Sequence, residues 1–220
     1  MKTLELAVET FSETVRALGG KLTDRIVEKR GAYRRATLPG EEQVRPRDAL
    51  KPGVALRANR STIQVVPYVF RVVCSNGAIW VHSGAAFSLE TGASTSDWEI
   101  EEFVRSSTET AASDEAFQGC LAEIRSGIAA PMRSASLVST LLAARIPELA
   151  SHLLEVALEE TKVDSEIETR YDAMNAVTAA ARQVRDPETK WKMEAYATTL
   201  LLGAAVDEPA RPSWAAALVA

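Results

Sequence analysis

Hydrophobic residues near the start of the chain recur at helical spacing. A first helix is predicted over residues 4–18, because its apolar positions lie three or four residues apart: Leu4, Val8, Phe11, Val15 and Leu18. Gly19 and Gly20 are expected to end this helix, since glycine is common just after a helix. One face of the N-terminal helix is therefore expected to contact a core.

Residues 21–88 show a different pattern, with short apolar runs that are rich in β-branched residues. This pattern predicts strands over 24–29, 33–38, 55–57 and 62–74. Two of the apolar runs flank Asn76-Gly77, a pair that readily accepts the positive φ of a type I′ turn. The sequence predicts an antiparallel hairpin near Asn76-Gly77. The alternative is a strand that leads into a loop where these two residues have another purpose.

Residues 84–96 are small and polar and are expected to form a loop, and helical spacing returns after residue 97. A capping box, Ser165-x-x-Glu168, predicts the start of one helix, and Asp186-Pro187 the start of another that ends at Gly203. Strands followed by helices indicate an α+β fold. The expected organisation is a basic strand-rich part with the N-terminal helix (1–96), an acidic helical part packed with it as one unit (97–206), and an extended tail (207–220).

Composition narrows the class of protein. The 220 residues include 46% hydrophobic and 25% charged residues, which is typical of a soluble globular protein. No apolar run approaches the roughly 20 residues of a membrane-spanning helix. Acidic residues interrupt the N-terminal region, so a secretory signal is not predicted. We therefore expect a cytoplasmic protein with no membrane partner, in which Cys74 and Cys120 are reduced thiols.

Charge is distributed unevenly along the chain. Residues 1–89 contain 14 Lys and Arg against 8 Asp and Glu, whereas residues 90–220 contain 11 against 22. The excess of positive charge lies between Lys21 and Arg60, with eleven basic and five acidic residues. Such a separation predicts a basic surface in the first half of the chain and an acidic one in the second. The alternative is two solvated faces without a charged partner.

Motifs for catalysis or for cofactor binding are sparse. The two His and two Cys do not have the spacing of a common zinc motif, and no glycine-rich phosphate-binding motif occurs. A carboxylate site for a hard cation is conceivable on the acidic helices, but solvated helix faces are the simpler interpretation for these residues: Glu101, Glu102, Asp114 and Glu115. No metal or cofactor is predicted. An enzyme whose site uses Asn76, His82 and acidic residues is the least favoured alternative.

Two short segments resemble a phage- and plasmid-associated protein family of unassigned function. Residues 67–77, Pro-Tyr-Val-Phe-Arg-Val-Val-Cys-Ser-Asn-Gly, are similar to a strand end of that family, and residues 175–178, Asn-Ala-Val-Thr, are similar to one of its helices. The resemblance implies a setting in mobile elements, where DNA maintenance, recombination and counter-defence are common. It implies no particular reaction.

The basic, aromatic-containing strand region predicts binding to nucleic acid. Cations along strands can follow phosphates, and aromatic rings can stack on unpaired bases. We expect a phage-type or mobile-element protein that binds or anneals single-stranded DNA, with a homo-oligomer as a possible state. The predicted contacts are Arg34, Arg35, Arg45, Arg47, Lys51, Arg57 and Arg60 for phosphates, and Tyr33 and Tyr68 for bases. The first alternative is a protein-interaction or structural module that assembles head to tail through its charge asymmetry.

Overall fold

A computed structural model describes residues 2–27, 31–72, 76–81, 83–132 and 168–203. Contacts between residues divide the chain into two compact units, Met1–Ala122 and Glu123–Ala220. The described part is α+β, with an N-terminal helix, an antiparallel sheet and further helices, which confirms the predicted fold class. Residues 133–167 of the predicted helical part and the predicted tail (207–220) lie outside the described residues.

The first unit begins with helix α1 (Lys2–Ala17), which the apolar spacing predicts almost to the residue. Gly19 follows it with φ of 73°, a conformation that glycine adopts without strain. Seven strands come next: β1 (Lys21–Val27), β2 (Gly31–Thr37), β3 (Glu42–Arg45), β4 (Asp48–Asn59), β5 (Thr62–Arg71), β6 (Asn76–Ile79) and β7 (Phe87–Glu90). Helix α2 (Asp97–Ala111) follows, and helix α3 (Asp114–Ala129) begins in the first unit and ends in the second.

All seven strands form one sheet, whose central path is β1-β2-β4-β5-β6. The two long strands each have two partners on the same side. Strand β4 pairs with β3 at its start and with β2 along the rest, while β5 pairs with β7 at its start and with β6 at its end. Strands β4 and β5 are therefore long enough to run from one end of the sheet to the other.

The core of the first unit lies between one face of this sheet and helices α1 and α2. Alternate residues of each strand point to this face, because strand side chains alternate with period two. The buried cluster combines α1, β2, β4, β5 and α2: Leu4, Ala7, Val8, Phe11, Val15, Ala32, Ala36, Val54, Leu56, Ala58, Ile63, Val65, Ile100, Val104 and Ala111. Because α2 packs with α1 and β5, the boundary of the first unit lies beyond residue 96.

Helix α2 begins with a capping box. The Ser96 hydroxyl accepts a hydrogen bond from the Glu99 N–H at 3.2 Å, and the Glu99 carboxylate accepts one from the Ser96 N–H at 2.7 Å. The hydrogen bonds from the Ser96 N–H and hydroxyl lower the pKa of Glu99. The two reciprocal bonds satisfy donors that the first turn of a helix leaves open, which fixes where α2 starts.

Thr108 on α2 offers a test of packing in this layer. Its side chain is fully buried, and its hydroxyl has no hydrogen-bond partner among the residues that the structure describes. Thr108→Val is expected to raise the free energy of unfolding by about 1 kcal/mol, because it removes an unsatisfied buried hydroxyl and keeps the shape of the side chain. Chemical denaturation measures the change.

Thr198 supplies the matched control. This equally buried threonine donates its hydroxyl to the Ala195 carbonyl oxygen at 2.8 Å. Thr198→Val loses a hydrogen bond and should not stabilise the protein. Equal effects of the two substitutions would contradict the interpretation of Thr108.

In the second unit, helices α4 (Arg170–Gln183) and α5 (Pro187–Leu202) pack against each other. The predicted start at Ser165 lies outside the described residues, and the described helix begins with a capping box between Thr169 and Asp172. The predicted boundaries of α5 are confirmed: Asp186 caps its first turn, and Gly203 ends it with φ of 78°.

Two groups on α5 have shifted acidities. Hydrogen bonds from Thr189 lower the pKa of Asp186, as expected for a carboxylate that caps a helix. Burial raises the pKa of Tyr196 to about 12, since burial disfavours its charged form.

Two local predictions in the sheet are wrong. The hairpin near residues 76–77 is present, but Asn76 pairs with Arg71 and Gly77 with Phe70, so both lie in β6 instead of forming the turn. Residues 87–90, expected in a loop, form β7 on β5. Both differences arise from pairing with β5, which local sequence does not reveal.

Candidate nucleic-acid interface

The register of the sheet decides which predicted contacts can share a surface. Arg57 pairs with Tyr33, Ala55 with Arg35, and Gly53 with Tyr68. Because paired residues point to the same side of a sheet, five predicted contacts share the face opposite α1 and α2: Tyr33, Arg35, Lys51, Arg57 and Tyr68. Arg34 points to the helix-covered face.

Arg34 lies beneath helix α1. Its side chain is only 8% exposed, and its Nη2 donates to the Ser12 Oγ at 3.1 Å. Ser12 in turn donates to the Val8 carbonyl oxygen of the same helix. These contacts join β2 to α1 and leave the guanidinium out of reach of a polymer. We therefore do not include Arg34 in the interface.

Arg35 and Tyr68 are buried together on the opposite face. Each is only 5% exposed, and the Arg35 Cζ lies 5.9 Å from the centre of the Tyr68 ring. This is the geometry of a cation–π contact, in which the ring electrons partly offset the burial of the charge. Gly53 and Gly77 lie so close to the Tyr68 ring that a side chain on either would overlap it. The contact therefore fits a structural role better than base stacking.

The accessible cations lie near the two ends of β4. At one end, the β3–β4 connection places Arg45 half-buried and Arg47 exposed. At the other end, Arg60 is exposed in the β4–β5 turn. Between them, Lys51 and Arg57 are half-buried on the same face of β4. The twelve residues of β4 span about 40 Å at the usual rise of about 3.3 Å per residue.

Arg47 occupies an unusual backbone conformation. Arg45 pairs with Asp48, so the β3–β4 turn has only two central residues, Pro46 and Arg47. Arg47 has φ of 64°, and it is the only non-glycine residue with positive φ in the described part of the chain. Proline followed by positive φ is the pattern of a type II turn, whose second central position favours glycine. Arg47 thus retains a long charged side chain where glycine would be less strained.

Carboxylates at the same end of the sheet are partly neutralised. Lys51 lies 3.9 Å from Glu41 in a solvent-exposed ion pair, which contributes little to stability. Asp48 is bound by Arg71 through two hydrogen bonds of 2.7 and 2.9 Å.

For Arg47 and Arg60, neither an ion pair nor a hydrogen bond from the side chain occurs within the described ranges. These two guanidinium groups are the best placed to bind an external anion.

The aromatic candidates differ in exposure. Tyr33 is half-buried beside Arg57, and Arg57 donates to the Gln64 side chain at 3.3 Å. Tyr33 can therefore present part of its ring to solvent, whereas Tyr68 cannot.

Sequence reasoning missed three exposed side chains of the first unit. Arg16 lies in the last turn of α1, and Lys21 begins β1. The pairing of Lys21 with Thr37 and of Thr37 with Gly53 places Lys21 at the end of the sheet where the β3–β4 turn lies. A signal was available, because Gly19-Gly20 forces a turn between these two cations. Trp98 is the third, and it could have been noticed as an aromatic residue outside the apolar stripe of α2.

Residues of the alternative interpretations fall partly outside the described residues, as His82 and Cys74 do. Cys120 is buried. Within the described ranges, no group of three or more His, Cys, Asp or Glu is arranged to hold a metal ion. Thr178 of the Asn-Ala-Val-Thr segment is buried in α4 and donates to the Asn175 carbonyl oxygen at 3.1 Å.

None of the described helices is both long and apolar enough to cross a membrane. In comparisons with known proteins, the chain matches no family model, no curated protein and no solved structure.

Proposed function

We propose that this protein is a cytoplasmic, phage-type or mobile-element protein that binds single-stranded nucleic acid through a basic track along β4. The track consists of Arg45, Arg47 and Lys51 near one end of the strand and Arg57 and Arg60 near the other. The partly exposed Tyr33 beside Arg57 supplies a surface for base stacking. The work of the protein is binding or annealing, without covalent chemistry.

The observation that carries this proposal is the conformation and exposure of Arg47. A non-glycine residue with positive φ costs roughly 1–3 kcal/mol and commonly persists at functional positions. Arg47 is exposed at the tip of its turn, so burial of the side chain does not explain its retention. A guanidinium in this place suits a phosphate, since it presents several donors in a planar fork.

The spacing along β4 supports a single strand as the ligand. Two groups of cations spread over about 40 Å, with the buried Gly53 and Ala55 between them, match a flexible polymer that carries a charge on every nucleotide. Sites of this class cover about 4–16 nucleotides. The resemblance of residues 67–77 to a phage- and plasmid-associated family agrees with a role in DNA maintenance or recombination.

Fluorescence anisotropy with a labelled oligothymidylate of roughly 20 nucleotides, longer than such a site, tests the proposal across salt concentrations. We expect affinity to fall steeply with salt, because each contacted phosphate of a single strand contributes about −0.7 to the logarithmic slope. In Arg47→Ala/Arg60→Ala the slope should become shallower by about 1.4, and binding at low salt should weaken. A duplex of the same length should bind less tightly.

Arg105→Ala is the matched control. Arg105 is an exposed arginine of the first unit, but it lies on α2 and is paired with Glu102 at 3.3 Å. Its substitution should leave affinity and salt slope unchanged. Absence of oligonucleotide binding at low salt, or equal losses in the Arg105 and Arg47/Arg60 variants, would refute the proposed interface.

A further inference from the structure

Trp98 is the most exposed large hydrophobic residue in the described part of the chain, with 69% of its surface accessible. It lies in the first turn of α2 and outside the buried stripe that includes Ile100 and Val104. Tryptophan is highly buried on average, and it is enriched among the residues that dominate binding energy at interfaces. Trp98 therefore marks a candidate docking surface on the outer side of α2.

The charges around Trp98 determine which partner fits. Residues three and four positions apart are neighbours on a helix, so Glu101 and Glu102 lie next to Trp98. Arg105 is paired with Glu102, which leaves the surface acidic. Helix α1, which packs against α2, carries exposed carboxylates of its own at a spacing of four residues: Glu5, Glu9 and Glu13. An aromatic ring beside carboxylates favours a cation, above all a guanidinium.

The same chain carries a complementary element at the other end of the sheet. The Thr91 N–H donates to the Ser61 carbonyl oxygen at 2.8 Å, which places the segment leading into α2 beside the β4–β5 turn. Arg47 precedes β4, at the opposite end of this strand of twelve residues. About 40 Å of strand thus separate Arg47 from the start of α2, so the turn of one copy does not reach its own Trp98.

We propose that the surface around Trp98 docks the β3–β4 turn of a second copy of this chain, with Arg47 placed over the indole ring and beside Glu101 and Glu102. The two surfaces are different and lie at opposite ends of the unit. An interface of this kind is heterologous, and it produces open chains or rings instead of a closed two-fold dimer. Because Arg47 also belongs to the proposed nucleic-acid track, nucleic acid and the neighbouring copy compete for it.

Sedimentation of the full chain without nucleic acid, over a range of protein and salt concentrations, tests the proposal. At low salt the mass should rise with protein concentration, and added salt should reverse the rise. Trp98→Ala and Arg47→Glu should each weaken association at least about tenfold. An equimolar mixture of the two variants should form dimers only, because each variant retains the surface that the other has lost.

Three outcomes would overturn this proposal. They are a monomer under all conditions, association that Arg47→Glu leaves intact, and a mixture of the two variants that stays monomeric. Leu202→Ala, a truncation of another exposed hydrophobic residue, serves as the control and should associate normally. Trp98→Ala should bind oligothymidylate at least as tightly as the unmodified protein, because it loses only the competing copy, so failure of self-association is distinguishable from failure of nucleic-acid binding.

Discussion

Gly53→Ala is expected to lower the free energy of unfolding by at least about 3 kcal/mol, a large effect for one methyl group. A Cβ atom at this position would overlap the Ala36 carbonyl oxygen of β2 and would lie 2.9 Å from the Tyr68 Cδ1 of β5. The first neighbour is backbone, so relief requires β2 and β4 to separate. Since these strands share seven paired positions, we expect the loss to extend through the sheet. Urea denaturation followed by circular dichroism measures it.

Gly119 and Gly92 provide controls with the same chemical change. Neither has an atom within 4 Å of the added Cβ, and neither has a positive φ. Gly119→Ala lies on the exposed side of α3 and should stabilise the protein by about 0.5–1 kcal/mol, because alanine loses less conformational entropy in a helix. If Gly53→Ala unfolds at the same denaturant concentration as Gly92→Ala, the packing around Tyr68 has been misassigned.

The two glycines beside Tyr68 show where local sequence reasoning reaches its limit. Asn76-Gly77 resembles a hairpin turn because the pair tolerates positive φ, and that is a local property. The structure instead requires Gly77 because the Tyr68 ring of the neighbouring strand covers it. Gly53 likewise lies inside β4, although the sequence predicts a strand only from residue 55. The requirement in both cases comes from a distant residue, which a single sequence does not identify.

Patterns that depend on one element were predicted well. The spacing of apolar residues predicts α1, and Asp186-Pro187 with Gly203 predicts both ends of α5. In these cases the signal and the structure involve the same few residues. Strand β7 was missed because four residues of alternating polarity are too few to distinguish a strand from a loop.

The candidate interface was partly predictable. A run of basic residues can be read from sequence, but the face to which each side chain points depends on strand register. Adjacent residues of a strand point to opposite faces, so Arg34 and Arg35 could not both contribute to one surface if they lay in a strand. That constraint was available from the sequence. The burial of Arg35 against Tyr68 was not, because it depends on the pairing of β2, β4 and β5.

Arg71→Ala is expected to destabilise the protein by about 3 kcal/mol, because it removes the bidentate partner of a buried carboxylate. The Asp48 side chain is 7% exposed and the Arg71 side chain 22% exposed, with the Arg71 Nε 2.7 Å from the Asp48 Oδ1. In this variant the desolvated Asp48 carboxylate loses two charge-assisted hydrogen bonds, which join the start of β4 to the end of β5. The midpoint of urea denaturation at neutral pH measures the loss.

Asp48→Ala should cost less than Arg71→Ala, because the arginine left behind is more exposed and water can solvate it. The double variant Arg71→Ala/Asp48→Ala should therefore recover part of the stability that Arg71→Ala loses. Arg47→Ala keeps the strained backbone and removes only an exposed side chain, so it should leave stability nearly unchanged. The comparison with Arg71→Ala therefore separates a structural cation from a ligand-binding one. Two results would contradict a stabilising role of the ion pair between the start of β4 and the end of β5. One is equal stability of Arg71→Ala and Arg47→Ala. The other is a double variant that is no more stable than Arg71→Ala.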